Sequence, residues 1–323
     1  MMLIASRPLQ ADDIRSSLTY DELMDPAATE VALVDNSWFL PVGESGDPLH
    51  QLEGTLTVPR DQMQRSSYQY ATYRFFPGFS VEFVEVDGYL VPTDRSIIVN
   101  PGDWTLILSP GRIWSEPGDA GMSRASLPFT LGSPPDRLFA GGEAHNGVAT
   151  FLFDDTEVSS IRIQITQETA PDGDIYDMWA QLPLEYQPGI VSRRAEIERS
   201  FREELAAQLP VAEWSELEAQ VDPVALASLT AGLAPEDISA AGVVVDGVVY
   251  LQTSRTRSGD YPYPRFMQHA GMSVSKSIGA GVAMLWLAQE YGEDVFDLRI
   301  VDYLDVTADH DGWAEVTFGD VLN

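Results

Sequence analysis

The chain contains no cysteine, which excludes disulfides, zinc-thiolate sites and a cysteine nucleophile. This absence does not identify a compartment, because proteins without disulfides occur on both sides of a membrane. Positive charge is scarce: nineteen Lys and Arg stand against fifty Asp and Glu, for a formal net charge of −31. That balance repels nucleic-acid phosphates and anionic lipid surfaces, so neither is an expected partner. No apolar stretch reaches the ~18–20 residues of a membrane span, and Met1–Arg7 carries too short an apolar run for a signal peptide. Lysine is nearly missing, since Lys276 is the single one and every other cation is arginine. Strong acidity with almost no lysine is the composition expected of a protein adapted to high salt, where screening removes self-repulsion.

What is present suffices for a sizeable core, with 323 residues that are 44% hydrophobic and a length that suits roughly two domains. From about Leu52 to Thr166, short β-branched and aromatic runs are punctuated by Pro, Gly, Asp and Asn. Val81–Val86, Asp87-Gly88 and Tyr89–Val91 read as a hairpin, because Asp-Gly supplies the positive φ angles of a tight turn. Trp104–Leu108 reads as a strand that Pro110-Gly111 ends. Ile161–Thr166 alternates, which predicts one buried face and one wet face. Many short strands without a long helical period favour an antiparallel sandwich-like or barrel-like domain. Asp154-Asp155 and Asp172-Gly173-Asp174 read as solvated turns rather than calcium loops, whose full spacing is missing. Trp38, Trp104, Trp114 and Trp179 read as core packing rather than a sugar-stacking surface. No cofactor or metal is expected.

Pro188-Gly189 marks a boundary, after which Ile197, Phe201, Leu205 and Leu209 recur every four residues. This predicts an amphipathic helix that packs and that Pro210 stops, with its Arg and Glu on a solvated face. Asp222-Pro223 opens another helix, with Leu226 and Leu229 inward and closure at Gly232. Ala241–Val245, Asp246-Gly247 and Val248–Leu251 form a second Asp-Gly hairpin, whose continuous apolar run predicts strands covered on both faces. Ser254–Gln268, rich in Pro, Arg and Tyr, is a loop leading to Ser273.

Gly271–Lys276 opens a helix running to about Tyr291 whose apolar residues surround its axis, which predicts burial in the middle of a domain. Ser273 stands at its N-terminus, where free N–H groups and the dipole favour developing negative charge. Lys276 follows three residues later on the same face, and helical side chains lean toward the N-terminus, so its amine reaches toward the Ser273 hydroxyl. Burial would favour a neutral amine able to take the serine proton, which arginine cannot do. Gly271–Ser275 lacks the final glycine of a nucleophile elbow. His269 reads as structural rather than as a base, and His50, His145 and His310 show no ligand spacing.

The Asp246-Gly247 hairpin, Arg265-Phe266-Met267, Ser273-Val274-Ser275-Lys276-Ser277, Arg299–Leu304 and Trp313–Asn323 occur in that order. Over about residues 222–323 this set resembles the serine β-lactamase and penicillin-binding-protein-like superfamily. The likeness is to the class C type and its esterase and 6-aminohexanoate-oligomer-hydrolase relatives. The resemblance implies a serine hydrolase with an acyl-enzyme on Ser273, Lys276 as proton acceptor and the Ser273 N–H as half of an oxyanion hole. It further implies an ester, amide or β-lactam substrate and a periplasmic or secreted location. The family's later Tyr-x-Asn or Ser-x-Asn element is missing from the 323 residues, and no strand-like stretch after Ser273 carries its Lys- or His-x-Gly. Thr317-x-x-Asp320 reads as a capping box one turn before the last residue, so the expectation is a fragment whose partner is the remaining C-terminal portion.

The reading is thus multidomain: a β-rich sandwich-like domain over 1–190, a helical connector over 191–221, and over 222–323 the N-terminal portion of an α+β (αβα) β-lactamase-like domain. A different class of function stays open, a non-catalytic binding or sensor protein whose β-domain holds saccharide or a partner.

Overall fold

The computed structural model describes residues 15–28, 31–65, 75–97, 104–132, 143–169, 178–271, 273–306, 310 and 312–322. Two compact units divide the chain, Met1–His269 and Ala270–Asn323.

The first unit begins with a short helix, α1 (Tyr20–Met24), and is otherwise mostly β. Its strands are β1 (Gly54–Val58), β2 (Gln64–Arg65), β3 (Phe79–Val86), β4 (Tyr89–Pro92), β5 (Ser96–Ile97), β6 (Thr105–Leu108) and β7 (Gly111–Ser115). They continue with β8 (Ser123–Gly132), β9 (Ala144–Phe153), β10 (Ile161–Thr169), β11 (Met178–Leu182) and β12 (Glu185–Pro188). Among the described residues these make one 12-stranded antiparallel sheet, in the order β12-β1-β3-β4-β7-β8-β9-β10-β11-β2 with β6 beside β8 and β5 beside β6. The sheet curls into a half-barrel rather than stacking as two layers.

Alternation along β8, β9 and β10 decides which side is inside. Leu127, Phe129 and Leu131 face inward with Ala149, Phe151, Ile161, Ile163 and Ile165, and join Leu56, Phe79, Phe83 and Leu106 in the main core. This core leaves an apolar cavity of about 10 Å³ lined by residues such as Phe76, Leu106, Phe129 and Ile163. A space of that size holds at most one water, so among the described residues the concave side is a filled core. Asp87 and Gly88 take φ of 51° and 80°, and Asp246 and Gly247 take 49° and 76°, the left-handed pair that closes each expected hairpin.

The wet face expected on β10 is buried. Arg162, Gln164 and Thr166 are almost fully shielded from solvent, because main chain from far upstream lies across them. Gln164 Nε2 donates to Val34 O at 2.9 Å and its Oε1 accepts from Val34 N at 3.2 Å. Arg162 donates to Ala32 O, and Trp179 Nε1 on β11 donates to Val31 O at 2.6 Å. Side chains here do for the extended segment what a neighbouring strand would do with its backbone, and so satisfy polar groups that would otherwise be costly to bury.

Beside this face lies a buried ionic cluster. Arg15 Nε meets Glu116 at 2.5 Å, Arg124 grips Asp119 at 2.5 and 2.9 Å, and Trp114 Nε1 donates to Glu116 at 2.8 Å. Burial pushes the Glu116 carboxyl up, but the Arg15 hydrogen bond and the charges of Arg15 and Arg124 outweigh it and hold the group below its usual range. Trp104 and Trp114 are buried and Trp38 and Trp179 half-buried, in keeping with core packing.

The connector packs as expected. Helix α2 (Arg194–Ala207) buries Phe201 against Val84, Val86, Val91 and Val191, with the Tyr89 ring edge-on at 5.3 Å. Two of its arginines reach beyond their own helix, Arg202 to Asp87 at 2.8 Å and Arg194 to Glu53, and Arg194 also makes an i,i+4 pair with Glu198. The helix ends at Ala207, so Leu209 falls outside the stripe and is exposed.

Beyond it come β13 (Val211–Glu213), α3 (Trp214–Glu218), α4 (Pro223–Ser228), β14 (Ala241–Val245) and β15 (Val248–Thr253). Asp222 caps α4 by accepting from Val224 N at 3.0 Å. A three-stranded sheet forms in the order β13-β15-β14 over Leu217, Leu226 and Tyr250. Two expectations fail here, since Leu229 points to solvent and Val244 and Val245 on β14 are exposed. The described residues supply a cover for one face of this sheet only. The unit closes with the two-stranded hairpin of β16 (Arg255–Thr256) and β17 (Gly259–Asp260).

In the second unit a continuous helical run comprises α5 (Val274–Lys276), a π turn at Ser277–Gly281 and α6 (Val282–Tyr291), and Gly292 stops it at φ +97°. Turns at Glu293–Asp297 and Ile300–Asp302 lead to α7 (Phe318–Leu322). The expected capping box forms: Thr317 N donates to Asp320 Oδ2 at 2.9 Å and Asp320 N to Thr317 Oγ1 at 3.1 Å. The expected burial of the long helix does not. Met284 alone on it is buried, while Val274, Ile278, Val282, Leu285 and Trp286 are exposed. Apolar side chains on all sides need partners on all sides, and the described residues of this unit offer few.

Candidate active site

Ser273 and Lys276 come together as the spacing predicts. Val274 N donates to Gly271 O at 2.9 Å and Lys276 N to Ser273 O at 3.1 Å, which starts the helix. Ser273 already has helical backbone angles, φ −71° and ψ −15°, and its hydroxyl makes no capping bond. That hydroxyl accepts a hydrogen bond from Lys276 Nζ at 3.4 Å, a length at the long end of the useful range. Resting catalytic pairs are often long and tighten on substrate.

Both side chains are exposed. The desolvation that the sequence led us to expect around the amine is therefore not supplied by the described residues. The π turn follows Lys276 directly, in a stretch containing Gly279, Ala280 and Gly281, where a Cβ added to either glycine meets nothing within 4 Å. Such turns interrupt α-helices mostly as single insertions and are frequent at functional sites.

Each remaining candidate has a local setting of its own. His269 belongs to the other unit, and partial desolvation of its ring lowers its basicity. His50 sits between Gly121 O at 2.9 Å and Asp155 at 3.2 Å; the carbonyl, ahead of the carboxylate, raises its basicity. His145 is buried, 3.4 Å from Glu143, with Trp104 edge-on at 4.5 Å. His310 accepts from Gly312 N at 3.0 Å. Asp154 is occupied by its own turn, accepting from Thr156 and Glu157, and Asp172 and Asp174 lie outside the described residues. Among the described residues no three His, Cys, Asp or Glu side chains could hold a metal ion, and no helix is long and apolar enough to cross a membrane.

The sequence reading missed the polar side chains that organise the outer face of β8–β10, Asn146 and Gln164 foremost. Their signal was the same two-residue alternation, which taken alone reads as a solvated surface. No protein-family model matches the chain, and no curated protein or solved structure does so either.

Proposed function

We propose that the chain carries the nucleophile helix of a serine hydrolase of the β-lactamase and penicillin-binding-protein-like kind. The observation that carries this reading is the Lys276 Nζ to Ser273 Oγ contact at the start of a helix, made by the chain's single lysine. As an ammonium, Lys276 donates to the serine oxygen. Once neutral, the same nitrogen directs its lone pair at the Ser273 O–H and takes that proton as Oγ forms a bond to a carbonyl carbon.

The oxygen of that carbonyl becomes the oxyanion, to which the helix N-terminus offers N–H groups. Collapse expels the leaving group with the proton held on Lys276, and water then cleaves the acyl-enzyme. Esters, amides and β-lactams all fit this sequence of steps. Neutrality of the amine requires the site to be desolvated. The exposed apolar residues of α6 support a cover over this helix, which would supply that desolvation.

A non-catalytic binding or sensor role is the second reading, favoured by the exposure of both site residues. Turnover of a short acyl ester and of penicillin separates the two. The first reading expects hydrolysis that disappears in Ser273→Ala; hydrolysis that survives the substitution overturns it, and no hydrolysis favours the second.

A further inference from the structure

The segment Gly46–His50, which leads toward β1, lies along the end of the large sheet where β7 turns into β8 and β9 into β10. Most of its fastenings are main-chain or hydroxyl bonds. Gly46 N donates to Ser115 O at 3.0 Å, Ser115 N to Gly46 O at 3.1 Å and Ser115 Oγ to Asp47 O at 2.8 Å. Farther along, Oγ of the fully buried Ser123 accepts from Leu49 N at 2.8 Å and from His50 N at 3.0 Å. None of these groups titrates near neutral pH. Two residues on, Leu52 enters the main core.

The ring of His50 adds a fastening of another kind. Its Nε2 lies 2.9 Å from Gly121 O, in the turn that enters β8, and its Nδ1 lies 3.2 Å from the Asp155 carboxylate, in the turn between β9 and β10. Neither oxygen can donate a hydrogen bond. A neutral imidazole has one N–H and one lone pair, so only the imidazolium satisfies both contacts at once.

The turn between β9 and β10 is built to present Asp155. Asp154 Oδ1 accepts from Thr156 N at 2.7 Å and Glu157 N at 2.8 Å, and Asp154 N donates to Glu157 O at 3.0 Å. Those amides hold the Asp154 carboxyl below its usual range, so it too faces the ring as an anion. Tyr186 on β12, within range of the Asp155 charge, donates to Glu53 O at 3.1 Å, and burial pushes its phenol up, which leaves it uncharged. On the ring's own stretch of chain Asp47 and Glu53 are acidic as well, the latter paired with Arg194.

We propose that His50 is a pH-sensitive clasp: as the imidazolium it ties both turns to the segment leading toward β1, and as the neutral ring it keeps Gly121 and releases Asp155. The neutral ring holds its proton on Nε2, at the shorter contact, and turns the Nδ1 lone pair toward a carboxylate that repels it. The Gly121 carbonyl first, and then the Asp155 carboxylate, raise the basicity of His50 above the ordinary value of 6.5. A raised folded value means that the full grip is present below the ordinary value and is lost as the pH climbs through the folded midpoint.

NMR titration of the His50 ring and amide exchange at Leu49 and His50, corrected for the intrinsic pH dependence, test the clasp in the full chain between about pH 5 and 9. The ring should titrate above 6.5. Protection of both amides should fall about threefold across that midpoint, a small change because the His50 and Asp155 side chains are 26% and 72% exposed. In His50→Gln the protection should stay level with pH. Asp155→Asn should lower the ring's midpoint and abolish the fall, because a carboxamide can donate to the Nδ1 lone pair that a carboxylate repels. A ring that titrates at or below 6.5 overturns the doubly donating imidazolium. Wild-type protection that does not change with pH, or that falls equally in His50→Gln, overturns the clasp.

Discussion

At position 276 an arginine would keep the positive charge and much of the reach of lysine but lose the ability to give up a proton. Lys276→Arg is therefore expected to lower the rate of Ser273 acylation by about 100-fold or more, the scale of a lost general base; wild-type rates in that variant would remove the proton-acceptor role. Two buried arginines give a second contrast. Arg124 holds Asp119 with two nitrogens and lies near Glu116, so Arg124→Met strands buried carboxylates and should cost about 3–5 kcal/mol. Among the described residues Arg162 Nε and Nη1 find no partners, and burial lowers its basicity to about 10. Arg162→Met should change stability by less than about 1 kcal/mol or raise it. Urea unfolding of both variants checks the pair, and equal losses would contradict the account.

The polar face of β8–β10 depends on a tight approach between strands and rings. A Cβ at Gly147 would lie 2.3 Å from the Phe129 ring, so Gly147→Ala forces that core side chain to move and should cost about 1–3 kcal/mol. An unchanged melting temperature would show that the ring can give way. The same region explains what the sequence made legible and what it did not. Both Asp-Gly hairpins, the capped start of α4 and the packed face of α2 could be read directly, because each is set by residues a few positions apart. The Ser273–Lys276 contact is legible for the same reason, being one turn of a helix. Burial of Gln164 was not, because its partners Val34 and Asn36 lie about 130 positions upstream, and nothing local marks a polar strand face that main chain will cover. The exposure of α6 was missed for the reverse reason: its pattern states that partners are needed without saying which residues supply them.

For the whole molecule, the charge of −31 is spread over a chain with a sequence pI near 4.2. Repulsion among exposed carboxylates is screened over about 10 Å at 0.1 M salt and about 3 Å at 1 M. The melting temperature should therefore climb from low to molar potassium chloride, and a flat or falling curve would count against adaptation to salt. The buried Arg15–Glu116 pair is screened far less. The functional reading stands on Ser273 as a nucleophile, so intact mass after exposure to a fluorophosphonate tests the central claim most directly. The account predicts one covalent adduct on the wild-type chain and none on Ser273→Ala; no adduct, or one that persists in Ser273→Ala, would contradict it.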